Sequence, residues 1–77
     1  MLTITGIISG YNWGMVKLSP YNINGSEPIP LSVCEVPQKA FESELYVGAR
    51  VVVDCASVQP KLDGIVQAVG VSSAELA

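Results

Sequence analysis

The stretch ITGIISGYNWGMVKLSPYN, residues 4–22, reads as two strands separated by a break. Just upstream, Leu2-Thr3-Ile4-Thr5 alternates apolar and polar side chains, and Gly6 to Ser9 continues the strand. Gly10 and Asn12 are turn or bulge residues. A second strand is expected over residues 13–18, with Val16 and Leu18 on one face and Met15 and Lys17 on the other. That register turns Trp13 and Met15 outward. An outward indole beside a thioether suits a stacking platform for nucleic-acid bases, or a dry patch for a protein partner. A wholly structural role is the alternative, with Trp13 closing one end of a thin barrel and Met15 filling a gap.

The same reading extends along the chain. Residues 19–28, SPYNINGSEP, form a loop whose Asn24-Gly25 is a strong hairpin-turn signal. Ile29, Leu31 and Val33 alternate with Pro30 and Ser32 as a third strand, and Pro30 marks an edge or a bulge there. Residues 36–49 lack clean alternation. Pro37 opens a short helical turn that holds Phe41 and Leu45. RVVVDCASV, residues 50–58, is rich in β-branched residues and is the clearest strand, with Val51, Val53 and Cys55 sharing a face. Residues 59–64 make a turn, residues 65–71 a fifth strand, and residues 72–77 a flexible tail. The expected molecule is all-β: one barrel domain over residues 1–71, five strands of the OB type, with a short helical turn or loop between strands 3 and 4; on length alone a small SH3-like barrel is the alternative.

Composition limits the chemistry. The chain has 77 residues, four basic and seven acidic, for a net charge of −3. Charged residues make up 14%, against about a quarter in an ordinary globular chain. So sparse a charge raises the expectation of a buried interface, including one with a second copy of the chain. Four cations allow only weak binding to a phosphate backbone unless stacking contributes. There is no histidine, no glycine-rich phosphate loop and no convincing carboxylate pair, so no enzymatic activity is expected. Cys34 and Cys55 without histidine make a poor metal set, and no cofactor is expected. The two are expected as reduced, buried thiols, with a disulfide between them as the alternative. With no basic leader and no long apolar run, the expected location is cytoplasmic, away from membranes.

Gly6-Ile7-Ile8-Ser9-Gly10-Tyr11-Asn12 resembles the first strand of cold-shock domains, Gly-x-Val-Lys-Trp-Phe-Asn, in its glycine, an apolar residue, an aromatic and the asparagine. Trp13-Gly14-Met15-Val16 resembles the end of that family's Lys-Gly-Phe-Gly-Phe-Ile motif. Ile29-Pro30-Leu31-Ser32-Val33 falls on its Val-Phe-Val-His-Phe motif, and residues 44–55 on its fourth strand. The resemblance implies an OB-type barrel that binds single-stranded nucleic acid through strands 1–3. The family's first-strand lysine and tryptophan are Ser9 and Gly10 here, and its third-strand phenylalanine and histidine are Pro30 and Ser32. The candidate binding residues are therefore Tyr11, Trp13, Met15, Lys17, Ser32 and Phe41, with Lys17 on phosphate. The same apolar face serving a protein partner or a homodimer, without nucleic acid, is the alternative.

Overall fold

A computed structural model describes residues 1–24, 33–62 and 64–77. Its elements are β1 (Leu2–Asn12), β2 (Met15–Ile23), β3 (Val33–Pro37), a 3-10 turn (Gln38–Ala40), β4 (Arg50–Leu62) and β5 (Ile65–Leu76). The strands close into a barrel in the order β1-β2-β3-β5-β4, with β4 returning to β1. All neighbours are antiparallel except β3 and β5. This is the five-stranded all-β barrel expected from the sequence, with its short helical turn between β3 and β4.

Alternation builds the interior. Ile4 and Ile8 on β1, Val16 and Leu18 on β2, Cys34 and Val36 on β3, and Val51, Val53 and Cys55 on β4 are at most 1% exposed. Successive strand residues point to opposite faces, so one apolar residue in two fills the barrel. Ala68 and Ala74 of β5 are also buried; small side chains suit the fifth wall of so narrow an interior. Phe41 and Ala49 add to the same core from the chain between β3 and β4.

The barrel needs sharp coiling, and irregular registers supply it. The β1–β2 pairing shifts between Thr5 and Gly6 and again between Ile8 and Gly10. The β4–β5 pairing shifts at Asp54/Cys55 and at Pro60/Leu62. Such bulges bend the strand and raise its twist. At Gly6 the two strands approach so closely that a Cβ would lie 2.9 Å from the Ser19 carbonyl oxygen.

Several strand ends differ from the sequence expectation. Trp13 does not open β2. Trp13 and Gly14 are the two residues of a hairpin turn between the paired Asn12 and Met15, with φ of 52° and 77°. Positive φ at both positions is what a type I′ turn demands, and its twist matches that of the strands it joins. Residues 19–23 are strand rather than loop, paired with Ile4 to Ile7 of β1. Asn24 extends this edge: its amide donates to the Thr3 carbonyl (2.9 Å), and its side-chain oxygen accepts from the Thr3 amide (2.7 Å). Gly25, and Ile29 to Ser32 of the expected third strand, lie outside the described residues, and β3 as described continues to Pro37. Gln59 to Leu62 belong to β4 rather than to a turn.

The expected tail at residues 72–77 is also corrected. Ser73 to Leu76 pair with Val51 to Asp54, Ala74 is buried, and the Ala77 amide donates to the Arg50 carbonyl. The polar residues of this stretch point outward from a paired strand.

Two outcomes follow for stability. Gly6→Ala is expected to cost about 1–3 kcal/mol, the range for forced overpacking, read as a lower urea midpoint. A chain ending at Val71 is expected to lose cooperative folding at 25 °C by circular dichroism. A domain of this size has only about 4–11 kcal/mol to lose, and the deletion removes Ala74 from the core along with the last rungs beside Val51 to Asp54.

Candidate nucleic-acid interface

The outer faces of β1, β2 and β3 form the surface on which the sequence-predicted residues were expected to meet. Register defines its rows. Asn12, Met15 and Pro37 lie side by side across β1, β2 and β3. The next outward row runs Gly10, Lys17, Glu35, Gln67 and Gln59 across all five strands. Between them, Val16 and Val36 point into the core. Met15 and Lys17 are thus brought to one surface, as alternation predicts. A shallow groove lined by Gly14, Met15, Pro37, Gln38 and Lys39 opens at the end of this face nearest the hairpin turn.

Trp13 stands at that end, 96% exposed, on the tip of the turn. The Gly14 carbonyl accepts from the Gln38 amide at 2.9 Å, fastening the turn to the end of β3. The indole is therefore held on a fixed turn beside Met15, not on the strand itself. Its conformation is costly. A left-handed residue with a side chain costs roughly 1–2 kcal/mol, and glycine or asparagine would fill this position more cheaply.

The other expected residues do not join this surface as predicted. Tyr11 pairs with Val16 and so sits on the core side of β1, half-exposed at the barrel mouth. Phe41 is buried in the core cluster and offers no stacking face. The 3-10 turn lowers the chain onto the barrel end, and Phe41, directly after it, faces inward. Tyr46, expected in the core of that segment, is exposed instead. Ser32 lies outside the described residues.

The structure brings in cations that looked scattered in the sequence. Lys39 follows β3 at the groove. Arg50 was expected to pair with a carboxylate such as Glu44. Its guanidinium lies instead 5.8 Å from the centroid of the Tyr21 ring on β2, within cation–π range. Lys61 reaches across β5 to Glu35 of β3, Nζ to Oε1 2.7 Å. With Lys17 on β2, all four basic residues of the chain are on, beside or in contact with β2 or β3. Among the other described carboxylates, Asp54 and Glu75 lie on β4 and β5, and Glu42 and Glu44 in the segment before β4; Glu42 and Glu75 line a hollow with Ala40, next to Lys39. Asp54 is bound by its neighbours: Thr3 Oγ1 donates to Oδ1 (2.7 Å) and Ser73 Oγ to Oδ2 (3.0 Å).

The interior offers little reactive chemistry. Cys34 and Cys55 are free and buried. Burial, reinforced by the neighbouring Cys55 and Glu35, pushes the Cys34 thiol up to about 11 from 9.0. Burial and Asp54 raise Cys55 as well. Both thiols are protonated at neutral pH, the unreactive form. Among the described residues, no group of three His, Cys, Asp or Glu side chains is arranged to hold a metal. Nor is any helix among them long and apolar enough to cross a membrane.

Fold and face together define a small closed barrel of OB topology with an aromatic-tipped, cation-bordered surface on β2 and β3. Comparison with protein-family models, curated proteins and solved structures finds no match for this chain.

The Cys34 shift has a signed consequence for stability. Between pH 9 and 11 the unfolded thiol loses its proton while the folded one keeps it. Stability is therefore expected to fall as pH rises from 9.0 to about 11, by about 2–3 kcal/mol from Cys34. Denaturant midpoints at pH 8 and pH 10.5 measure it, and Cys34→Ala should flatten the dependence.

Proposed function

We propose that this protein is a non-enzymatic OB-type module that binds single-stranded nucleic acid weakly through the outer face of β2 and β3. The observation that carries the reading is a fully presented indole on the turn beside Met15, with Lys17 and Lys39 close to the same end of the face, in a chain of net charge −3. OB barrels present this face, between the β1–β2 and β4–β5 loops, to oligonucleotides. Here the β1–β2 loop is Trp13-Gly14 itself. The resemblance of residues 6–16 to cold-shock domains points the same way.

In this reading Trp13 stacks on one base and Met15 extends the apolar surface beneath it. Lys17 and Lys39 meet phosphates on either side. Tyr21, under Arg50, supplies a second aromatic along β2. Stacking is worth about 1–3 kcal/mol per base, and one dominant aromatic keeps the affinity low. A protein partner is favoured by one feature, the apolar groove between Met15 and Pro37, which would seat an aliphatic side chain as readily as a base.

Titration with a labelled oligothymidine at low salt, following tryptophan emission, is expected to quench the single Trp13 at micromolar strand. Trp13→Ala should weaken binding about tenfold, measured by anisotropy. The logarithm of affinity should fall with the logarithm of salt with a slope no steeper than about −3, because at most four cations are available. Unchanged emission at high micromolar strand would overturn the reading.

A further inference from the structure

Glu35 is anomalous on this face. It occupies an outward position of β3, between Lys17 of β2 and Gln67 of β5, yet it is only 3% exposed. The Lys61 ammonium meets its carboxylate at 2.7 Å. The register shift between Pro60 and Leu62 frees Lys61 from the β4–β5 ladder, and Lys61 extends over β5 to the carboxylate. Burying a carboxylate carries a desolvation penalty even when it is paired. An outward barrel position does not require that charge, since threonine or valine would hold the strand as well. The Lys61 side chain is long and 44% exposed, so it is free to swing from the carboxylate toward solvent or a ligand phosphate. Glu35 lies one outward step, about 7 Å, from the Met15–Pro37 row.

We propose that Glu35 is the base-reading residue of this face and selects guanine in a bound single strand; the proposal rests on the nucleic-acid reading above. Guanine presents N1–H and the N2 amine side by side on its Watson–Crick edge, two parallel donors for the two oxygens of a carboxylate. Adenine and cytosine offer one amine beside a ring acceptor. Thymine and uracil offer one N–H between two carbonyl oxygens that repel a carboxylate. Gln67, next in the same row, carries an amide donor for guanine O6. The exchange leaves both charged groups hydrogen-bonded. Lys61 gives up Oε1 for a phosphate of the strand, and Glu35 replaces the ammonium with base donors. A carboxylate at the centre of the face also repels phosphate, which orients the strand with its bases inward.

Anisotropy titrations with thymidine nonamers carrying one central guanine, hypoxanthine, adenine, cytosine or thymine test this. The guanine strand should bind about tenfold more tightly than the all-thymine strand, the scale of one bidentate base contact. Hypoxanthine lacks the N2 amine and should lose most of that gain, with no change to the protein. Glu35→Gln should level the series, so that the guanine strand binds no more tightly than the all-thymine strand measured on the same variant. Equal affinity across the series would overturn guanine selection and leave the stacking face standing. Failure of every strand to bind would overturn the face and Glu35 reading together.

Discussion

Closure of the barrel depends on a short parallel seam. Val33, Cys34 and Glu35 pair with Ile65, Val66 and Gln67, the rungs that join β3 to β5 among the described residues. Without the seam, five strands would form an open sheet with two long unpaired edges. Closure turns one apolar face of every strand into an interior and lets a short chain bury residues as far apart as Ile4 and Ala74. A parallel pairing cannot be made by a tight hairpin. The chain must leave β3, cross the barrel end and return along β4. The 3-10 turn and Phe41 make that crossing, so a segment without strand periodicity supplies part of the core. The seam also places β5 beside β3, which is what lets Lys61 of β4 reach Glu35 two strands away.

The hairpin tip adds little to stability. Trp13 buries almost nothing, so it returns little of the roughly 2 kcal/mol that a large side chain yields on burial. Its left-handed backbone adds a cost that asparagine or glycine would avoid. Strain of this kind persists where the surroundings hold it, and here the Gly14–Gln38 hydrogen bond and the Asn12–Met15 pair fix both ends of the turn. An indole so held is pre-organised for contact, because its backbone loses little further freedom on binding.

Much of the barrel was legible in the sequence because its core obeys a period of two. Val16 with Leu18, and Val51 with Val53 and Cys55, can be assigned to the interior from alternation alone. The ends of strands were less legible. Aromatic residues favour strands, so Trp13 reads as the start of β2, yet the twist of the hairpin claims that position for a turn. Residues 72–76 read as a tail because they are polar, but their partners on β4 lie about twenty residues upstream in the sequence, beyond the reach of local pattern. Phe41 faces the barrel and Tyr46 faces solvent, a choice that no strand alternation signals because the segment is led by a 3-10 turn. Lys61 had no linear signal. Its place beside Glu35 depends on a register shift in β4, and Arg50 comes over Tyr21 only through the folded packing.

That convergence changes what a net charge of −3 means. Net charge describes the field far from the molecule, whereas an approaching phosphate responds to the charges within a screening length. At physiological salt that length is about 8 Å. The barrel measures 27 × 22 × 21 Å, and β4 lies across it from β2 and β3. Asp54, on β4, is separated from β2 by β1, whereas Glu42 and Glu75 line a hollow with Ala40, next to Lys39. Glu35, in the strand beside Lys17, is neutralised by Lys61 at 2.7 Å. On the proposed reading, a phosphate that approaches Lys17 therefore meets a paired carboxylate, not a bare one, across the ladder.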